Sequence, residues 1–186
     1  EILRDLIARR FGMQVTFGSG SILYKETIAA PVLGIGHYEP LRHYAEVQLL
    51  LEPLPRGSGV EWCPGNVPND KLFYRYQSQI KTAFFRALEQ GLSGWQVTDL
   101  RATLVDGEHH IVHTHPLDFF VATPMAVMNG LQNTGTTLLE PLLLVHISAG
   151  EECFGRVTGD IIQMRGSFDA PIVRGGVFSM EAIIPA

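Results

Sequence analysis

From Leu72 to Leu88 an apolar side chain returns every fourth residue: Leu72, Tyr76, Ile80, Phe84 and Leu88. That spacing lays one continuous stripe along a helix, which Asn69 or Asp70 is placed to cap and Gly91 to end. A stripe of this length must be buried against another element. Its neighbours in sequence are strand-like: Tyr44–Leu51 lies upstream, and Gln96–Val105 follows with Leu100, Ala102 and Leu104 on one face. The chain is therefore predicted to pack helices on a sheet.

The remaining segments extend this pattern. Glu1–Phe11 carries Ile2, Leu3, Leu6, Ile7 and Phe11 at helical spacing, with Arg9 and Arg10 in the last turn, and Gly12 stops it. Met13–Phe17 alternates like a strand, and Gly18–Ser21 reads as a linker. Ile22–Ile28 is a predicted strand, Pro31–Arg42 an irregular stretch, and Pro53–Gly59 turn chemistry. A second helix is expected over Leu117–Thr134, kinked at Pro124. Leu142–Ile147 reads as a buried strand. Glu151 and Glu152 then open a helix with the stripe Phe154, Val157, Ile161 and Met164. Strands at Ser167–Val173 and Val177–Ile184 meet at the hairpin signal Gly175–Gly176. The order αβ, ββαβα, βαββ predicts an α+β protein with helices on one face of mostly antiparallel sheet.

Composition excludes several classes. In 186 residues no apolar run approaches the ~20 needed to span a bilayer, and no signal-peptide pattern opens the chain, so no membrane partner is expected. Cys63 and Cys153 are too few for a disulfide framework, which points to the cytoplasm. A net charge of −5 argues against wholesale capture of nucleic acid and against a DNA partner, so any RNA contact is expected to be local. The chain opens at Glu1 and not methionine, as a segment of a longer protein does. It has no phosphate-binding loop, no Gly-x-Ser-x-Gly elbow and no Cys-x-x-Cys pair. Glu46, Asp99 and Asp118 form no acid/base spacing and read as solvated or capping carboxylates. No catalytic residue is expected, and Cys63, Cys153, Trp62 and Trp95 read as packing.

Where the Gln96–Val105 strand gives way to the second helix, Gly107–Pro116 holds four of the seven histidines: His109, His110, His113 and His115. Three readings stand for this loop: a metal or pH-responsive site, an exposed loop without a role, and a contact tip hydrogen-bonding and stacking on RNA. The flanking glycine and proline favour an exposed turn over a rigid ligand cage, so no metal site is assigned. His37 and His43 are candidates to sit beside the loop.

Ile22-Leu-Tyr-Lys-Glu-Thr-Ile28, Glu89-Gln-Gly-Leu-Ser-Gly-Trp-Gln-Val-Thr-Asp99 and Leu138-Leu-Glu-Pro141 resemble the C-terminal half of the elongation factor G family. Pro53-Leu-Pro-Arg-Gly-Ser-Gly59 and the terminal Ile184-Pro-Ala186 are similar to the tetracycline-resistance ribosomal protection branch. The resemblance implies that residues 1–18 close domain III and that residues 19–138 form domain IV, of the ribosomal protein S5 domain 2-like fold. Residues 139–186 would then be part of a ferredoxin-like domain V. It makes Gly107–Pro116 the tip of an arm reaching small-subunit rRNA near the decoding site of the ribosome. The implied contacts are His109, His110, Ile111, Val112, His113, Thr114 and His115, with His37, Tyr38 and Arg42 as neighbours. His110 falls where elongation factor G has a tip histidine. GTP and Mg belong to a GTPase domain N-terminal to this segment, and no cofactor is implied within it.

The resistance branch tends to carry Tyr-Tyr-Ser-Pro at the tip, where this chain has His109-His110-Ile111-Val112. Release of ribosome-bound tetracycline and a translocation or ribosome-rescue role without drug release are thus both implied. One structural expectation follows from the order of elements: residues 1–18, helix and strand, are placed to fill the position of the last helix and strand missing from 139–186, with Met13–Phe17 on the sheet edge.

Overall fold

The computed structural model describes residues 2–18 and 20–186; Glu1 and Ser19, assigned above to the first helix and the linker, lie outside the described residues. The main sheet has the order β2-β3-β6-β4, from Val32–Tyr38 (β2), Ala45–Pro53 (β3), Val60–Cys63 (β4) and Leu100–His109 (β6). The first three neighbours run antiparallel, and β4 lies parallel to β6. Tyr74–Ala87 (α2) and Phe119–Thr134 (α3) cover one face. Strict alternation in β3 sends Ala45, Val47, Leu49 and Leu51 into the core, where they meet Tyr76, Ile80 and Phe84 of α2 and Phe119, Ala122, Ala126 and Leu131 of α3. Asn69 Oδ1 accepts the Tyr74 N–H at 2.8 Å, which leaves Asn69, and not Asp70, holding the start of α2.

The expected irregular stretch is in fact mostly β2. Gly34 and Gly36 read as breakers, yet they let a helix approach the strand. A Cβ at Gly34 would stand 2.1 Å from the Ala126 carbonyl oxygen, and one at Gly36 would stand 1.9 Å from that of Ala122. The end of β6 is corrected too. Its register against β3 slips at Gln48/Leu49, leaving Val105 as the extra residue of a bulge. Alternation breaks there, so the predicted strand stopped at Val105, but pairing continues to His109.

A small sheet closes the opposite end, with Lys25–Thr27 (β1) between Gln96–Val97 (β5) and Thr137–Leu139 (β7). Its pin is the fully buried Glu26. One carboxylate oxygen accepts the Ser93 and Trp95 N–H groups at 2.8 and 3.0 Å, and the other accepts the Thr136 hydroxyl at 2.7 Å. Asp99, also buried and with φ of +56°, accepts the N–H groups of Gly57 and Gly59 at 3.1 and 2.9 Å. Of the two expected roles, solvated or capping, the buried Asp99 and Asp118 take the second, accepting backbone N–H groups.

The last 45 residues form a separate layer pair. Leu142–Gly150 (β8) pairs antiparallel with Val177–Pro185 (β11), which also pairs with Ser167–Phe168 (β9) and Ile172–Arg174 (β10). Phe154–Gln163 (α4) covers one face through Ile161, Phe154 and Val157, against Phe178, Met180 and Ala182. This is the βαββ portion of a ferredoxin-like sandwich. The single strand expected over Ser167–Val173 is split at Asp169-Ala170-Pro171, because Pro171 has no N–H to donate. Gly175 and Gly176, both with positive φ, make the hairpin turn as expected.

Met13–Phe17 forms no strand and does not extend this sheet. Ile2–Phe11 (α1) is helical as expected, but it buries no residue. With no neighbouring backbone to complete a ladder, the alternation of Met13–Phe17 has nothing to pair with. The helix α3 runs without interruption through Pro124.

The approach of α3 to β2 gives a direct test. Gly36→Ala forces a methyl into the Ala122 carbonyl and is expected to cost about 3 kcal/mol, or to prevent folding. Urea unfolding checks this, and a loss below about 0.5 kcal/mol would contradict the packing described.

Candidate functional site: the histidine tip

The tip is built from two loops joined by one hydroxyl. Thr114 Oγ1 donates to the Tyr44 carbonyl at 2.6 Å and accepts the His110 N–H at 2.7 Å, while Thr114 N–H donates to the His110 carbonyl at 2.9 Å. The loop thus closes on itself and is anchored to the start of β3. A second tie lies beside it. Asp118, with its side chain only 3% exposed, holds His43 Nδ1 at 2.7 Å and accepts the His115 N–H at 2.8 Å. The His43 and His115 rings touch, with centroids 5.0 Å apart, and Tyr38 lies 5.8 Å beyond His43. Asp118 sits directly before α3, so packing of that helix fixes where both loops meet.

The four loop histidines are not equivalent. His109 faces inward between Phe73 and Tyr76, with centroids at 4.1 and 5.4 Å, and its Nδ1–H donates to the Lys71 carbonyl at 2.8 Å. It is a packing residue. His110 uses Nδ1 to accept the N–H groups of Val112 and His113, each at 3.2 Å, so the neutral ring carries its proton on Nε2. His113 stacks on it at 4.5 Å with an interplanar angle of 21°. Ile111 and Val112, 88% and 73% exposed, form the apex. The loop therefore brings His110, Ile111, Val112 and His113 to one exposed end, keeps Thr114 and His115 as its base, and withdraws His109.

The neighbouring candidates divide likewise. His37 is exposed on β2, with Nε2 3.0 Å from Glu39 and Nδ1 3.8 Å from Glu46. Arg42 occupies a left-handed position, φ +63°, in the turn closed by His43 N–H to the Pro40 carbonyl. Tyr38 is half-buried under His43. Glu46 stands opposite both His37 and Glu108 in register, giving the flank of the tip an acidic row. Burial, followed by Glu108, Glu46 and Glu39, pushes the Tyr44 phenol above its ordinary value. On the neighbouring β6, burial alone would push the Asp106 carboxyl up. Hydrogen bonds from Lys71 Nζ and the Gly107 N–H, with the Lys71 charge, hold it below the usual carboxylate range instead.

Tyr44 and Asp118 are the residues that the sequence pattern did not single out as tip residues. Asp118 carried one signal, its position directly ahead of an apolar helix. Among the described residues no three His, Cys, Asp or Glu side chains converge to hold a metal ion, and no helix is long and apolar enough to cross a membrane.

A four-stranded sheet under two helices, with a strand–loop–helix tip, defines a ribosomal protein S5 domain 2-like α+β module. Residues 20–135 match the family model described as elongation factor G, domain IV, and the chain belongs to that family. It is 36% identical over its whole length to the tetracycline resistance protein TetP of Clostridium perfringens, covering 28% of that protein. A crystal structure of a protein from Thermus thermophilus superposes with a TM-score of 0.82 at 25% identity, over 95% of this chain and 27% of that one. The chain thus spans little more than a quarter of the length of these relatives.

Two outcomes test the tip. Thr114→Val removes the shared hydroxyl and is expected to cost about 1–2 kcal/mol and to speed hydrogen exchange of the His110 amide. Unchanged exchange there would refute the hub. The Tyr44 phenol, read as the difference in ultraviolet titration between the chain and Tyr44→Phe, is expected to ionise above the ordinary tyrosine range. Glu46→Gln should move it partway back.

Proposed function

We propose that this chain is the ribosome-contacting arm of a translational GTPase, with the histidine loop as its tip. In this reading residues 1–18 close domain III, residues 19–138 are domain IV and residues 139–186 are part of a ferredoxin-like domain V. GTP and Mg bind in the part of the protein N-terminal to the segment, and the protein works in the cytoplasm. The observation that carries the reading is the exposed end formed by His110, Ile111, Val112 and His113. These side chains contribute little to packing, yet hydrogen bonds through His110 and Thr114 hold them in one shape. A preorganised loop of imidazole rings and apolar surface suits rRNA bases near the decoding site, where specificity comes from base edges and stacking. His115, His37, Tyr38 and Arg42 form the base of that surface, and His109 supports it from within.

The likeness to TetP, a tetracycline resistance protein by name, supports release of ribosome-bound tetracycline as the task of the whole protein. The apex favours a second reading as well. Val112 stands where the resistance branch tends to have proline, which suits an elongation factor G-like translocation or rescue paralogue without drug release. A metal-responsive module is disfavoured because His109 Nε2 is buried among the Phe73 and Tyr76 rings and, among the described residues, no three His, Cys, Asp or Glu side chains converge.

The deciding experiment uses the full-length protein, measuring GTP-dependent release of labelled tetracycline from ribosomes. Release is expected, with a loss of at least tenfold when His110–His113 is replaced by alanines. Ribosome-stimulated GTP hydrolysis without tetracycline release would establish the second reading. Absence of both would remove the ribosomal one.

A further inference from the structure

Away from the tip, a cleft of about 310 Å³ opens between the end of β4 and the first turns of α2. Its walls are Trp62 and Pro64 on one side and Tyr74, Ser78 and Lys81 on the other, above a floor of Leu104. Trp62 is braced from behind by Phe84, at a centroid distance of 5.3 Å, so its ring is a fixed surface. Tyr74 is 67% exposed and packs against no other aromatic ring among the described residues. Tyr74, Ser78 and Lys81 follow at i, i+4 and i+7, which puts them on one face of α2. Lys81 has no carboxylate partner among the described residues. The helix itself carries Arg75, Lys81 and Arg86 and no acid, in a chain whose net charge is −5. Of the three, Lys81 alone lines the cleft, while Arg75 lies over the Phe73 and Tyr76 rings and Arg86 over Phe120.

We propose that this cleft takes one unstacked nucleotide of single-stranded RNA, its base against Trp62 and Tyr74 and its phosphate at Lys81. Aromatic faces of this kind bind any base by stacking, and a nearby cation supplies the backbone contact. The size fits a single nucleotide and excludes a duplex. The proposal rests on the reading of the partner as RNA, but it concerns a surface separate from the histidine tip. The arm would then hold RNA at two points, one at its end and one on its side.

The test uses the 186-residue chain with Trp95→Phe, which leaves Trp62 as the sole tryptophan. Titration with pentaadenylate is expected to quench Trp62 saturably. Tyr74→Ala should weaken binding about tenfold, while Tyr74→Phe should restore it. Lys81→Ala should lower the slope of log affinity against log salt by roughly 0.7. Anisotropy of labelled pentaadenylate with the unsubstituted tryptophans reads the same order of affinities if Trp95→Phe does not fold. Binding that is absent, indifferent to Tyr74→Ala and Lys81→Ala, or removed by replacing His110–His113 would overturn the proposal. So would capture of a decaproline peptide in place of RNA. Cleft binding that survives replacement of the tip, in a protein that fails the ribosome assays, would sustain this inference and remove the ribosomal one.

Discussion

The approach of α3 to β2 is the contact on which the rest of the arm depends. Because Gly34 and Gly36 have no side chains, the backbone of the helix at Ala122 and Ala126 rides directly on the strand. Interiors are packed densely enough that a single added methyl must displace backbone here. The consequence reaches the tip. The start of α3 is fixed by that contact, the Pro116–Asp118 turn precedes it, and Asp118 then stands where it can hold both His43 and His115. Two glycines on a neighbouring strand therefore fix where the exposed loop is anchored, while His110 and Thr114 fix its own shape.

The other end of the module is organised by buried acids. Glu26 and Asp99 are each satisfied by backbone N–H groups without a cation, an arrangement that leaves the buried carboxylates hydrogen-bonded. Hydrogen bonds to a charged group contribute about 1.5–3 kcal/mol each, so losing either carboxylate would leave several donors stranded. This explains the two runs that carry the family resemblance most strongly. Gly91, Ser93 and Trp95 surround the Glu26 carboxylate, and a side chain at Gly91 would collide with it. Gly57 and Gly59 present their amides to Asp99. Both runs serve structure, at the end of the module opposite the histidine loop.

What the sequence revealed and what it hid follows the same physics. The helix α2 was legible because one stripe of five side chains is buried against one sheet, so periodicity and packing agree. The strand β2 was not, since glycine read locally is a breaker and its true reason lies across the fold, on Ala122 and Ala126. The strand β6 was cut short because the bulge at Val105 interrupts the period of two. The four-residue β4 was hidden behind the turn at Pro53–Gly59. At the tip, composition identified the loop but not the division of labour within it. Which histidine faces inward depends on Phe73, Tyr76 and the Lys71 carbonyl, all contributed from some 33–38 positions away in sequence.

Charge arranges these surfaces in a way that net charge conceals. The solvent side of the sheet near the tip carries Glu46 and Glu108 in one row with His37, and burial, then these acids, push the Tyr44 phenol above its ordinary value. A polyanion is repelled from that flank. The apex between the flanks is partly apolar, whereas α2 carries Arg75, Lys81 and Arg86 and no acid. In the proposed reading, an approaching RNA would meet repulsion on one side, a cation on another and a shape-fixed end between them. Such a field would orient it without strong nonspecific affinity, because few phosphates would be neutralised and little counterion released. A contact that must form and release repeatedly, as that reading requires, is better served by this arrangement than by a basic tip, which would bind RNA regardless of register.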